Sequence, residues 1–318
     1  MRVRILTSLY NLKGDYVSGK RMAEELGISG VAIWKHIEAL KQEGYDINGV
    51  AGRGYRLNNW QNIIIPSEVM QGLGKAELIR QIMYYPVLDS TNELAKKLAG
   101  NNEEGLVIVA GQQRAGKGRL GRKWDSPLGG IWFSIILKPR LPLSKLALLS
   151  LVFALALGKA LDKFIEKPSQ LKWPNDVFIG NKKVAGILLE GSGQLDRVDN
   201  LIAGFGINVN ISSDAWVIED EKITSLLIEN HRVMENSHIL TEVLSYIEEY
   251  YYLFLQDGFE QIRQEFKAKC LHLGQDVSIQ QSKDTITGRC MDIDEQGSMV
   301  LKVDDEIMRI TTGDVKII

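Results

Sequence analysis

Between Gly111 and Trp124 the chain places Arg114, Lys117, Arg119, Arg122 and Lys123 within ten residues, with no acidic side chain among them. Gly116, Gly118 and Gly121 are set between these cations. Backbone amides left open by glycine, together with five cations, make a site for a polyanion. Gly116 to Gly121 fits the dinucleotide pattern G-x-G-x-x-G, and Gly111 to Lys117 fits most of a P-loop. Both motifs must open a helix, and a P-loop needs Ser or Thr after its lysine to reach magnesium. Here Gly118 follows Lys117, and Pro127, Gly129 and Gly130 forbid a continuing helix. The segment therefore reads as a mobile loop. A solvated basic loop or a nucleic-acid contact would look similar. Trp124 favours a nucleotide, because the cations can hold phosphates while the indole stacks on a base, a contact worth roughly 1–3 kcal/mol.

A second candidate is Lys172-Trp173-Pro174-Asn175-Asp176, followed by Lys182-Lys183-Val184-Ala185-Gly186-Ile187-Leu188. Pro174 stiffens a turn that projects Asn175 and Asp176. Lys183 heads an apolar strand, and Gly186 leaves room for a ligand. A lysine in that position is most often a surface residue whose stem snorkels. Ser90-Thr91-Asn92 opens a helix after a strand, and simple capping would account for Ser90. Three short polar side chains at a helix start can also hydrogen-bond a small ligand. Other chemistries find no support. His36, His231, His238 and His272 have no ligand spacing, no G-x-S-x-G elbow exists, and Gly191-Ser192-Gly193 reads as a turn.

These residues must be positioned by alternating strands and helices. Strands are expected at Ile82–Leu88, Leu106–Gln112 and Ile131–Leu137, and a hairpin at Val184–Glu190 with Asn200–Asn208. Helices are expected from Ser90 to Leu98, from Ser144 to Glu166 and from Thr241 to Cys270. From Leu273 to Ile318 short alternating runs divided by Gly288, Gly297 and Gly313 predict a small barrel.

The first 57 residues have another character. Ser18 can cap a helix to Leu26, Gly27 breaks it, and Ser29 caps a second helix to Glu43 that Gly44 stops. Ile33, Ile37 and Leu40 form the apolar stripe of that second helix, with Gly30, Val31, Trp34 and Lys35 on the other side. A hairpin follows, with Arg53 at the tip Gly52-Arg53-Gly54-Tyr55. Helix, turn, helix and wing suit DNA, the second helix entering the major groove. A helical docking domain is the alternative, and Lys35 and the exposed Trp34 favour DNA. This segment holds nine Lys/Arg against six Asp/Glu, whereas the remaining residues hold 29 against 34. Residues 58–67, polar over Asn58–Asn62 and then carrying Pro66, read as a linker.

The whole chain has 318 residues, 45% hydrophobic and 25% charged, enough for two or three domains without a staple. Cys270 and Cys290 make neither a disulfide framework nor a four-ligand zinc site, so a reducing cytoplasm is the simple reading. Leu146–Leu157 is too short to span a bilayer, and no membrane partner is expected.

Several of these motifs coincide with one family. Gln113 to Trp124 resembles the loop of biotin protein ligases, G-R-G-R-x-G-R-x-W, with Lys117 where Arg is usual, so charge is kept without the planar fork. Lys172–Asp176 with Lys183–Leu188 resembles the family's K-W-P-N-D…K-x-x-G-I-L, and Gly204-Phe205-Gly206-Ile207-Asn208 its G-x-G-I-N. Lys20 to Leu57 resembles the winged helix of biotin operon repressors, with Gly30 where Arg often follows the capping Ser. The resemblance implies an α+β chain: a winged helix-turn-helix with linker over 1–65, a mixed α/β ligase domain over 66–270, and an SH3-like barrel over 271–318. It implies that biotin attacks ATP to give biotinyl-5′-AMP, that a carrier-domain lysine then takes the biotin, and that magnesium accompanies ATP. Lys183 and Arg119 would be catalytic. Biotin would meet Ser90, Thr91, Asn92, Gln113, Lys117, Gly118, Arg119, Lys183 and Gly186. The nucleotide would meet Lys117, Arg119, Arg122, Lys123, Trp124, Asn175 and Asn208. Operator DNA would meet Ser29, Gly30, Val31, Trp34, Lys35 and Arg53, and the bound adenylate would promote a homodimer. Lipoate ligation and a ligand-sensing repressor without catalysis remain as alternatives.

Overall fold

A computed structural model describes residues 1–101, 103–142, 145–194, 197–216, 222–281 and 284–318. The N-terminal part holds helices α1 (Arg2–Tyr10), α2 (Gly19–Leu26) and α3 (Gly30–Gln42), then strands β1 (Ile47–Val50) and β2 (Gly54–Leu57). Both expected caps form: Ser18 accepts from Arg21 N and Ser29 from Ala32 N, each at 3.1 Å. Gly27 turns left-handed at φ 68°, which a side chain would strain. The wing pairs Val50 with Gly54, so its tip is Ala51–Arg53 and Tyr55 lies within a strand.

The central part runs α4 (Pro66–Leu73), β3 (Gln81–Leu88), α5 (Thr91–Ala99), β4 (Leu106–Gln113), β5 (Ile131–Leu137), α6 (Leu146–Asp162), β6 (Ser169–Lys172), β7 (Asp176–Ile179), β8 (Lys182–Gln194), β9 (Arg197–Ile207), α7 (Leu226–Asn230), α8 (Asn236–Asp257) and α9 (Glu260–Lys269). The strands form one mixed sheet in the order β3-β4-β5-β9-β8-β7-β6, with β3 and β4 parallel and the remaining pairs antiparallel. Leu106 and Ile108 face α5, while Val107 and Val109 face the main core with α6 and α8. This is the period of two that a sheet covered on both faces requires. The expected start of α6 at Ser144 lies outside the described residues. The single helix expected over Thr241–Cys270 is two, because Gly258 leaves the helical region at φ 81°. Among the described residues no helix is long and apolar enough to cross a membrane.

The last strands, β10 (Asp276–Gln280), β11 (Thr285–Ile293), β12 (Met299–Val303), β13 (Glu306–Ile310) and β14 (Asp314–Ile317), make an all-β unit in the order β13-β12-β11-β10-β14. Among the described residues the ladder keeps two edges, β13 and β14, so the unit is a strongly antiparallel sheet and the ring of a closed barrel is not drawn.

The segment expected to be a linker is more than a tether. Ile63, Ile64 and Ile65 are buried, and Ser237 on α8 receives Ile65 N at 3.0 Å and donates to Ile63 O at 3.3 Å. One core cluster joins Ile5, Leu9 and Ile37 to Phe133, Leu240 and Val277.

His272 is fully buried where the central part meets the C-terminal sheet, and neither ring nitrogen has a hydrogen-bond partner. Burial, reinforced by the Lys172 ammonium, pushes its pKa down to about 4. The folded state thus prefers the neutral ring. Its contribution to stability is complete above about pH 6.5 and is lost as pH falls through 4, a change of about 3 kcal/mol. Urea unfolding across that window is the check: His272→Leu should flatten the acid limb. A variant as acid-sensitive as the parent would show that another group carries it.

Candidate active site and DNA-binding surface

The site lies where the ends of β4, β7, β8 and β9 meet the start of α5, the loop after β4 and the turn before β14. They enclose a cavity of about 390 Å³.

One wall is a closed polar network. Ser90 caps α5, accepting from Glu93 N at 3.4 Å. Gln113 Oε1 receives both Thr91 N, at 2.7 Å, and Thr91 Oγ1, at 3.1 Å. Its Nε2 donates to Ser126 Oγ at 2.9 Å. The buried Ser134 hydroxyl lies 2.7 Å from Thr91 Oγ1 and 2.5 Å from Asn92 Oδ1. Asn92 Nδ2 donates to Glu190 at 2.7 Å. A Cβ on Gly204 would stand 2.1 Å from Asn92 Oδ1, so glycine there lets the strand lie against the amide.

The other wall is cationic. Lys183 Nζ pairs with Asp176 Oδ2 at 2.8 Å and lies 4.7 Å from the centre of the Trp124 ring. Its backbone is tied on both sides, to Phe178 of β7 and, through a 2.7 Å bond from its amide, to Lys222 O. Gly186 faces Lys183 and Asp176: a Cβ there would lie 3.0 Å from Lys183 Cε and 3.1 Å from Asp176 Oδ1. A Cβ on Gly206 would come 2.5 Å from Trp124 Nε1, so this glycine is the floor on which the indole rests. Asn175 receives Arg119 on Oδ1 at 2.9 Å and donates to Ile187 O at 2.7 Å. Burial presses the Lys172 ammonium toward its neutral form, with Asp176 and Asp314 opposing. Burial also works against the Arg119 guanidinium, which nevertheless remains charged.

The loop after β4 folds over this cavity without opening an α-helix. It makes a single 3-10 turn at Arg119–Gly121, with Leu120 at φ 57°. Lys117 pairs with Glu93 at 2.8 Å, Lys123 with Asp125 at 2.9 Å and Arg122 with Asp314 at 2.8 Å. Hydrogen bonds from Lys117, then Lys96, hold the Glu93 carboxyl below its ordinary range. Lys117, Arg122 and Lys123 thus stand in carboxylate contacts that an incoming phosphate can exchange.

A second surface lies on the N-terminal part. Ser29, Gly30, Val31, Trp34 and Lys35 are all exposed along one side of α3, with Trp34 53% accessible. A groove of about 460 Å³ runs between this helix and the wing, lined by Trp34, Lys41, Val50 and Gly52. Arg53 and Arg56 stack on Tyr16, 4.3 and 5.0 Å from its ring centre, which aims the wing cations.

Three family models match the chain: the biotin/lipoate A/B protein ligase family over residues 84–208, an HTH domain over 2–56, and the biotin protein ligase C-terminal domain over 272–317. The chain is 34% identical over 316 residues to the bifunctional ligase/repressor BirA of Bacillus spizizenii, covering 98% of this chain and 97% of that one. The chain belongs to the biotin protein ligase family. Within it, the Escherichia coli bifunctional ligase/repressor BirA is 28% identical, over 96% of this chain and 94% of its own. A structure of the biotin protein ligase from Aquifex aeolicus in complex with biotin and ATP superposes with a TM-score of 0.66 at 32% identity, covering 75% of this chain and all of that one.

Measured against the family motifs, Ser90, Thr91, Asn92, Gln113, Lys117, Gly118, Arg119, Arg122, Lys123, Trp124, Asn175, Lys183 and Gly186 all line the one cavity. Asn208 does not. Its Nδ2 donates to Thr224 O at 2.9 Å and its backbone N–H to Val184 O, which ties the end of β9 to its neighbours, while its buried Oδ1 has no hydrogen-bond partner. Sequence reasoning missed Ser134, Thr312 and Asp314. A serine in the otherwise apolar run Ile131–Leu137 was the available signal for the first. Nothing local marks the others, which reach the ligase loop from the C-terminal sheet: Arg119 meets Thr312 at 3.4 Å.

Proposed function

We propose that this chain joins biotin to ATP as biotinyl-5′-AMP, transfers the biotin to a lysine of a carrier domain, and represses transcription when the adenylate is bound. The observation that carries the reading is the opposition of the two walls across one cavity. One wall is a network of uncharged hydrogen-bonding side chains anchored on the Glu190 carboxylate, and the other is cationic with an indole beside it. The Thr91, Asn92 and Gln113 network suits the ureido ring, and Ser134 orients Thr91 and Asn92 from behind. Lys183 would neutralise the charge shared by the biotin carboxylate and the α-phosphate as their oxygens approach, while Arg119 and Arg122 hold the phosphates. Closure of the loop would exclude water from a reactive acyl phosphate. Trp124 would flank the nucleotide. Magnesium would accompany the triphosphate of ATP. The buried Asp176 Oδ1, which has no partner, offers a lone pair at the cavity. The operator would meet α3 and the wing, the adenylate would favour a homodimer, and the chain would work in the cytoplasm.

The test is isotope exchange between pyrophosphate and ATP. Exchange that depends on biotin is the expected result. Exchange driven by lipoate, or by neither acid, would overturn the assignment.

A further inference from the structure

The last three residues of β4 join the two surfaces directly. Neighbouring residues of a strand face opposite ways. Gln113 faces the cavity, where its carboxamide carries Thr91 and Ser126. Gln112, one residue earlier, turns away from it and donates its Nε2 to the backbone carbonyl of Glu43. Glu43 is the C-terminal cap of α3, the helix that exposes Trp34 and Lys35. The last carbonyls of a helix have no partner within it, so a side-chain donor there fixes where the helix ends in space. Gly111 completes the seat. A Cβ at that position would stand 2.5 Å from the Tyr45 hydroxyl and 2.7 Å from the Tyr84 hydroxyl, two groups that hydrogen-bond each other at 3.0 Å across the boundary between α3 and the sheet.

We propose that Gln112 is a positioning residue that links the biotin pocket to the orientation of the recognition helix within a single chain. A ligand that takes up the Gln113 and Thr91 hydrogen bonds shifts the end of β4, and Gln112 passes that shift to the C-terminus of α3. This rests on the reading of α3 as the operator-binding helix and of the Thr91–Gln113 wall as the biotin site. It adds a route that does not depend on the association of two chains.

The test uses the full chain and the variants Gln112→Met, which keeps volume without a donor, and Gln112→Lys, which restores one. Amide exchange over Lys41–Tyr45, without and with biotin, is read first. The parent and Gln112→Lys should slow on adding biotin, and Gln112→Met should not, while its thermal midpoint and its KM for biotin in pyrophosphate exchange stay near those of the parent. The gain in operator affinity on adding biotin and ATP should then fall about five-fold in Gln112→Met, the size of one neutral hydrogen bond. If biotin protects these amides equally in the parent and in Gln112→Met, or in neither, the link is overturned. If the parent shows biotin-dependent protection yet no operator gain, the repressor reading fails while the link stands.

Discussion

Lys183→Ala should slow adenylate formation by about 10²–10³-fold while leaving the fold in place. The expectation follows from what this ammonium is aimed at. Its backbone is fixed from two sides, so Nζ is delivered over the Trp124 ring and against Asp176 with little freedom to move. Removing one preorganised donor from a site where negative charge gathers typically costs about 3–4 kcal/mol of transition-state stabilisation. The stability cost is much smaller. The pair with Asp176 is partly open to water, and such pairs contribute on the order of 1 kcal/mol or less. Single-turnover formation of the adenylate, beside a thermal melt of the same sample, separates the two effects. Asp176→Asn is the companion measurement, because it removes the ion pair and keeps the ammonium. A near-normal rate in Lys183→Ala would make Lys183 a surface lysine whose stem happens to cross the indole.

Much of this site was legible because its residues are consecutive. Loop 113–124, turn 172–176 and the strand from Lys183 to Gly186 each carry their cavity-lining residues in one short run, and local geometry decides where such a run points. The glycines illustrate the same logic, since Gly204 and Gly206 are needed where Asn92 and Trp124 lie against β9. What could not be read is what arrives from far away in sequence. Thr312 and Asp314 meet Arg119 and Arg122 from almost two hundred residues downstream, and Tyr16 holds Arg53 and Arg56. A motif match identifies a residue without saying where its side chain falls: the Asn208 side-chain amide donates to the Thr224 carbonyl, and its Oδ1 is left without a partner. The break at Gly258 was missed because a long apolar periodicity on both sides outweighed a single glycine.

The same distinction decides where the two activities can be cut apart. By composition the boundary falls at Pro66, since Asn58–Asn62 is polar and proline often follows a linker. A chain starting at Ser67 would then lose only the DNA-binding part. The packing predicts otherwise, because Ile63, Ile64 and Ile65 are each at most 4% accessible and are held to α8 through Ser237. Burying one isoleucine contributes about 1.5–3 kcal/mol, so losing three removes roughly 5–9 kcal/mol, against a total stability of about 5–15 kcal/mol for a typical domain. A chain starting at Ser67 should therefore be largely unfolded or insoluble. A chain starting at Asn59 keeps the three isoleucines and every residue of the cavity. It should form the adenylate and label a carrier lysine, yet fail to bind operator DNA. It also uncovers Tyr84 and Leu128, where Tyr45 and Gly44 pack, so some loss of thermal stability is expected. Lys35→Glu in the full chain removes the DNA contact without touching that interface. It should weaken operator binding with a shallower salt dependence and leave turnover unchanged. Circular dichroism, carrier labelling and a salt series of gel shifts on the three proteins make the comparison. A well-folded, active chain starting at Ser67 would show that the isoleucines belong to the N-terminal part after all. A folded but inactive chain starting at Asn59 would mean that the helix-turn-helix part shapes the cavity through Gln112 and Tyr45, and that the two activities share more than a border.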